Sequence, residues 1–294
     1  MISTLMSQLN PSTSARTTNV SAPRIAFQGE RGAFSEQAAL QLLGANIKLV
    51  PRLTFDTLFT SIAEGLADYI LAPLENSLAG SVHRTYDLLV ESDLQITAEV
   101  VIPIAHHLIG CPGATFEQIT TVESHPVALA QCERFFNQFP EIKRLATEDT
   151  AGSVAEITES GDQTRAAIAG ARAADVYGGI ILREHLEDHS ENYTRFVLLS
   201  SEPHVHERTN KLSLAFKLQH LPAALHRALA PFAHRQINLL KIESRPVKGL
   251  PWQYRFYVDL EASVNDAEVV VALDELRSCA DEVRLLGCYK AHEF

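Results

Sequence analysis

From Arg24 onward the chain repeats one theme: a short apolar run, a turn, then an amphipathic stretch. RIAFQG (24–29) reads as a buried strand whose Gly29 opens a turn into FSEQAALQLLG (34–44), an Ala/Leu-rich helix closed by Gly44. IKLVPRL leads in the same way into TFDTLFTSIAEG, YILAPLE (69–75) into a helix through RTYDLLVES, and TTVESH into PVALAQCERFFNQF. KRLATED then leads into TAGSVAEITESG, and RAAIAG into ARAADVYGG. QITAEVVIPIAHHLIG is one long extended run, and NYTRFVLLS (192–200) is a turn into a strand. A chain that alternates in this way buries its apolar surface only by laying helices on a sheet. The pattern predicts an α/β domain with a mostly parallel sheet, or two sheets in two lobes, and ligand contacts at the carboxyl ends of the strands.

Beyond SEPHVHERTN (201–210), which is polar and patternless, the order of elements changes. LSLAFKLQ reads as a strand, AALHRALAPFAHR as a helix and INLLKIESRPV as a strand. In WQYRFYVDLEA, Tyr254, Phe256, Val258 and Leu260 alternate with Arg255, Tyr257 and Asp259, the period of a half-buried strand. A helix, DAEVVVALDELRSCA, and a strand, EVRLLGCYKA, complete a βαββαβ unit, the ferredoxin-like split motif. The expected organisation is a disordered tail over 1–22, an α/β domain over 23–203, a linker over 204–211 and a ferredoxin-like domain over 212–294. That agrees with a prior of about 150 residues per domain.

Charge narrows the function classes. The chain carries 25 Lys plus Arg against 36 Asp plus Glu, a net −11, and has no long basic run, so neither nucleic acid nor a membrane surface is an expected partner. An anionic ligand would have to be held locally, by one or two Arg side chains or by helix N-termini. Cys111, Cys132, Cys279 and Cys288 are too few and too widely spaced for a disulfide scaffold, and they read as reduced thiols. With no membrane-length apolar stretch and no signal-peptide core, the expected compartment is the cytoplasm. Residues 1–22 are Ser/Thr-rich with Arg16 as the sole charge, a composition that an organellar transit peptide shares with a plain tail.

Several helices of the first domain open with small polar residues directly after a strand: Ser35, Ser77, Ser81, Thr150 and Ser153. Each puts a hydroxyl and free backbone N–H groups at a helix N-terminus, where carboxylates bind without net positive charge. Ordinary N-capping explains each one singly, and only their convergence makes a site. His106 and His107 are adjacent in an extended run and point to opposite faces, so they do not converge on a metal. His204 and His206 lack a third ligand. No HExxH, P-loop or GxGxxG is present, and no metal or cofactor is expected.

GERGAFSEQAA (29–39), PLENSLAGSVHRTYDLL (73–89), SHPVALAQC (124–132), NYTRF (192–196) and INLLKIESRP (237–246) occur in an order and spacing that resemble the prephenate dehydratase family. The likeness runs from about residue 24 to about residue 290. It implies a two-lobed catalytic domain like the type II periplasmic binding proteins, with the site between lobes, followed by an ACT domain that binds phenylalanine. The reaction implied converts prephenate to phenylpyruvate, carbon dioxide and water, with no cofactor because aromatisation supplies the driving force. The residues before Arg24 leave no room for the chorismate mutase domain of some relatives, so a monofunctional enzyme is expected.

By the same resemblance the catalytic residue is Thr194, acting as hydrogen-bond donor or relay to the departing hydroxyl, since its own pKa is too high for a proton source. Arg195 is the matching partner for a carboxylate. Ser35, Asn76, Ser77, Ser81, Thr150 and Phe196 complete the expected substrate pocket. Glu75 is left open between orienting a neighbour and holding a proton. His125 and Pro126 are expected to shape the face between lobes, whereas Gln131 and Cys132 read as packing residues.

The effector site implied comprises Ala223, Ala224 and Leu225 after the first ACT strand, with Asn238, Leu239, Glu243, Ser244 and Arg245, at an interface between two ACT domains. A homodimer or homotetramer follows. Ala223 and Gln236 stand where the family usually has glycine, which puts phenylalanine affinity in question because glycine permits close backbone approach and positive φ. Two alternatives remain. Arogenate, with an ammonium group in place of the keto oxygen, is a second candidate substrate, and a non-catalytic amino-acid-sensing or solute-binding protein is a second class of function.

Overall fold

The computed structural model describes residues 21–202 and 208–293. Nearly all of the expected tail, and residues 204–207 of the expected linker with His204 and His206, lie outside the described residues. The chain divides into two compact units, one of residues up to Thr85 with Val100–Phe196, the other of Tyr86–Glu99 with Val197 onward.

The first sheet contains β1 (Arg24–Gln28), β2 (Lys48–Arg52), β3 (Tyr69–Asn76), the two-residue β4 (Gly80–Ser81), β5 (Gln95–Pro103) and β11 (Tyr193–Ser200). Its order is β2-β1-β3-β11-β5, with β4 on β3, and β1 runs parallel to both β2 and β3. Ile25, Ala26 and Phe27 are fully buried, as a strand covered on both faces requires. Burial of each large apolar side chain is worth about 1.5–3 kcal/mol. Helices α1 (Phe34–Leu43), α2 (Phe55–Thr60) and α3 (His83–Glu91) follow β1, β2 and β4. Thr54 caps α2 by accepting from the Thr57 N–H. The helix expected over TFDTLFTSIAEG is regular only over α2, and turns continue to Gly65.

The second sheet has the order β10-β6-β9-β7-β8, built from β6 (His107–Gly110), β7 (Thr121–Ser124), β8 (Lys143–Ala146), β9 (Arg165–Ala169) and β10 (Ile180–Arg183). β7 is parallel to β8 and β9, whereas β6 is antiparallel to β9 and β10. Its helices are α4 (Pro126–Ala130), α5 (Glu133–Gln138), α6 (Thr150–Ser160) and α7 (Ala171–Tyr177). The single helix expected over PVALAQCERFFNQF is thus broken into α4 and α5. Cys132, with φ −122° and ψ 34°, leaves the helical region, and Asp188 accepts from the new N-terminal N–H groups of Glu133 and Arg134.

The two sheets of this unit form two lobes that meet at the starts of α1 and α7. Glu36, fully buried, accepts from the Arg31 Nε at 2.6 Å, the Arg172 Nε at 2.8 Å and the Gly32 N–H at 3.2 Å. Burial pushes the Glu36 carboxyl upward, and these donors outweigh it to hold the group below its ordinary value. Gly32 has φ +82°, and a Cβ there would lie 2.8 Å from the Ala173 Cα, so the lobes approach through a position where a side chain does not fit.

The second unit carries β12 (Lys211–Lys217), α8 (Ala224–His234), β13 (Asn238–Pro246), β14 (Tyr254–Glu261), α9 (Ala267–Cys279) and β15 (Glu282–Tyr289). The sheet order β13-β14-β12-β15 and its antiparallel registers are those of the ferredoxin-like βαββαβ fold. Leu212, Leu214, Phe216, Val258 and Leu260 form one core with Phe232 of α8 and Leu273 and Leu276 of α9. The fold class is therefore the α/β one expected: a two-lobed domain built on two sheets, followed in the chain by a ferredoxin-like one. Among the described residues, no helix is long and apolar enough to cross a membrane.

Candidate active site

β3 and β11 are neighbours in the first sheet, which brings Asn76 at the end of one beside Thr194 at the start of the other. Asn76 Oδ1 accepts from the backbone N–H groups of Leu78 and Ala79 at 3.0 and 2.7 Å, which fixes the amide so that Nδ2 faces β11. There Nδ2 has three acceptors in reach: Asn192 Oδ1 at 2.7 Å, Thr194 Oγ1 at 3.0 Å and the Tyr193 carbonyl at 3.1 Å. Ser77 fastens the same segments, since its hydroxyl accepts from the Tyr193 N–H at 2.9 Å and donates to the Glu191 carbonyl at 3.0 Å. Because the Thr194 oxygen accepts from Asn76, its own O–H remains to be donated elsewhere.

The network continues into the second lobe. Asn192 Nδ2 donates to Gln131 Oε1 at 3.0 Å, and His106 Nε2 lies 2.9 Å from the same oxygen. Gln131 Oε1 can only accept, so this network places the His106 proton on Nε2. Burial then depresses the His106 pKa, against the opposing pull of Gln131 and Glu187, and keeps the ring neutral. Its Nδ1 is buried and, among the described residues, has no hydrogen-bond partner. With its oxygen engaged twice, Gln131 keeps its amide N–H groups as donors for a ligand.

Above these residues lies a cavity of about 450 Å³, within the range of small-molecule sites. Its wall includes Ser35 at the start of α1, Ser81 on β4, His125 and Gln131 at the two ends of α4, Thr150 at the start of α6, and Asn76, Thr194 and Phe196 from the sheet. Strand ends and helix N-termini from both lobes thus converge, the arrangement in which α/β proteins hold ligands.

Six of the eight residues expected in the pocket are brought together here: Ser35, Asn76, Ser81, Thr150, Thr194 and Phe196. Ser77 and Arg195 are not on the wall. Ser77 spends its hydroxyl on the 191–193 segment, and Arg195 follows Thr194 on a strand, where successive side chains alternate faces. The Arg195 guanidinium lies 4.0 Å from Glu75. Gln131, read as packing from its helical spacing, is on the wall because the helix breaks just after it. His106 is also there, since the strand begins only at His107 and the opposite-face argument does not reach it. Asn192, Glu148 and Asp149 were missed as well. Asn192 sits two residues before Thr194, the spacing that shares a strand face, and that was the available signal.

Cys132 is fully buried, and burial together with Asp188, Glu187 and Glu133 pushes its thiol far up, so it is a neutral packing group. Among the described residues, no cluster of three metal-ligating side chains occurs.

The residues expected around an effector occupy separate places in the second unit. Ala224 and Leu225 line a hollow of about 180 Å³ with Trp252, Tyr254 and Phe256. Leu239 packs on the core. Asn238 donates to Glu261, Lys241 lies 3.6 Å from Glu243, and Arg245 pairs with Asp87 at 3.1 Å. Ser244 sits opposite Phe256 in the sheet register. Ala223 and Gln236 both adopt positive φ, +60° and +55°, the conformation for which glycine is the usual residue.

Comparison with known proteins gives this geometry a family. A family model described as prephenate dehydratase matches residues 25–204. The chain is 42% identical over 282 residues to arogenate dehydratase/prephenate dehydratase 1, chloroplastic, of Arabidopsis thaliana, covering 90% of this chain and 71% of that one. The structure of a prephenate dehydratase from Arthrobacter aurescens in complex with L-Phe superposes with a TM-score of 0.85 at 31% identity, over 91% of this chain and 90% of that one. A structure described as a novel type of quorum quenching acylase superposes with a TM-score of 0.84 at 32% identity, over 92% and 98% of the two chains. With a family model over most of its length and close relatives in two further comparisons, this chain belongs to the prephenate dehydratase family of carbon–oxygen lyases.

Proposed function

We propose that the chain catalyses the decarboxylative dehydration of a prephenate-type cyclohexadienyl acid, prephenate itself or its 2-amino counterpart arogenate. With prephenate, the ring carboxylate leaves as carbon dioxide, its bonding electrons enter the ring, and the ring hydroxyl departs with one proton as water, giving phenylpyruvate. The observation that carries this reading is the Asn76–Thr194 hydrogen bond in a cavity of suitable size. It turns the Thr194 O–H outward as a donor to the departing oxygen, where negative charge develops. Gln131 N–H groups and the backbone donors at the start of α1 serve the carboxylates. Arg195 acts through Glu75, at the rear of the strand that carries Thr194.

The same geometry disfavours a nucleophilic role of the sort an acylase needs. Among the described residues, Thr194 Oγ1 is hydrogen-bonded to a donor, Asn76 Nδ2, rather than to a base that would take its proton. Assaying the purified protein by ultraviolet absorbance with prephenate and with arogenate tests the reading. Thr194→Val is expected to lose about 100-fold or more in kcat. Full activity in that variant, or no turnover of either acid by the wild type, overturns it.

Residues 23–203 are then the catalytic domain, 204–211 a linker and 212–294 an ACT regulatory domain taking L-phenylalanine, in a homodimer or homotetramer. Support comes from the ferredoxin-like fold of the second unit and from the relative crystallised with L-Phe. Calorimetric titration with phenylalanine tests the effector, and light scattering reads the assembly.

A further inference from the structure

The charged groups on the cavity wall are both acidic. Glu148 and Asp149 line it, and among the described residues no Lys or Arg does. Arg31, through its Nε, and Arg172 pair with Glu36, and neither lines the cavity. Asp149 is held in a defined position: Oδ1 caps α6 by accepting from the Gly152 N–H at 2.6 Å. Its Oδ2 lies against the Gly29 backbone at the end of β1, where a Cβ would be 3.1 Å away. His106, only 2% exposed and also on the wall, has an Nδ1 without a hydrogen-bond partner among the described residues, and this atom is an acceptor because Nε2 holds the proton. One part of the cavity is thus furnished with acceptors and negative charge.

We propose that Asp149 is the specificity-determining residue of this enzyme and recognises an ammonium group on the substrate side chain, so that arogenate is preferred to prephenate. This rests on the lyase function proposed above. The two acids differ at one position: arogenate carries three N–H donors and a positive charge where prephenate has a keto oxygen that only accepts. A keto oxygen set against a carboxylate pairs acceptor with acceptor and brings a dianion to a negative wall. An ammonium group satisfies both the hydrogen bonding and the charge. A site built around a donor on the substrate rejects the analogue that lacks it, because its own polar groups are left unpaired.

The test is kcat/KM on both acids for the wild type, Asp149→Asn and Asp149→Ser. Asn and Ser are also good N-caps, so α6 keeps its first turn while the charge is lost, and the thermal midpoint of each variant checks this. The wild type is expected to favour arogenate. In both variants the arogenate-to-prephenate ratio is expected to fall about 10- to 100-fold, the scale of a hydrogen bond to a charged group, with the prephenate value rising as a repelling carboxylate is removed. A wild type that favours prephenate, or a ratio that stays the same in both folded variants, overturns the proposal. Turnover of neither acid by the wild type overturns the lyase reading, and this proposal with it.

Discussion

Asn76 Nδ2 donates to Thr194 Oγ1 across 3.0 Å, while Asn76 Oδ1 is held by two backbone N–H groups. The direction of that bond makes Thr194 a donor toward the cavity. Asn76→Asp keeps the size of the side chain and the two backbone bonds but replaces the donor with an acceptor, so the Thr194 proton turns back toward residue 76. The expected result is a loss of about 100- to 1000-fold in kcat, because the lost interaction belongs to the transition state, together with a lower thermal midpoint, because the new carboxylate oxygen also faces Asn192 Oδ1 and the Tyr193 carbonyl. Steady-state kinetics on the folded variant checks it, and an unaltered kcat means that the hydroxyl does not serve the departing oxygen.

Glu36 joins the lobes through Arg31 and Arg172 and is itself fully buried. Arg172→Ala leaves a buried carboxylate short of its main counter-charge and is expected to cost about 3 kcal/mol in urea unfolding. The native pKa of Glu36 lies below its ordinary value of 4.5, so its contribution is complete above that pH and is lost as pH falls through the depressed native value. Glu36→Gln is expected to flatten the acid limb of stability in that range.

His106 is held neutral in the fold by burial, with its pKa below the ordinary 6.5. Its effect on stability is fully present above 6.5 and declines as pH falls toward the native value, with a slope of at most about 1.4 kcal/mol per pH unit. His106→Gln places an amide N–H near the position of the ring Nε2 and does not titrate. It is expected to remove the decline below pH 6.5 while keeping the Gln131 contact, which unfolding curves at several pH values will read. Retained kcat in His106→Gln and loss in His106→Ala will assign the ring to positioning Gln131.

Ala223 and Gln236 sit at φ +60° and +55°. Left-handed backbone costs a residue with a Cβ about 1–2 kcal/mol, a cost glycine avoids. Ala223→Gly and Gln236→Gly are each expected to stabilise the second unit by up to about 1 kcal/mol, since the greater unfolded-state freedom of glycine offsets part of the gain. Differential scanning calorimetry measures this, and destabilisation by both would show that neither conformation is strained.

The alternation of apolar runs and amphipathic stretches was enough to read the α/β class and the βαββαβ unit, because burial on one or two faces writes its period directly into the chain. Ser35 was legible for a similar reason, as a small polar residue at a helix start, whereas Thr194 and Asn76 were singled out by the resemblance of their motifs to a known family. Gln131 was not, since helical spacing continues straight through it and only the packing of Asp188 against Glu133 and Arg134 breaks the helix there. Arg195 and Ser77 looked like ligand contacts by type, but which face a strand residue shows, and which hydroxyl is already occupied, depend on partners more than 100 residues away. Asp149 carries no motif of its own in the sequence. That Asp149 lines the cavity, with its Oδ2 beside Gly29 of the other lobe, was decided by how the two lobes come together. Local periodicity sets which elements form, whereas the chemistry of the site is a sum of long-range contacts that no local pattern contains.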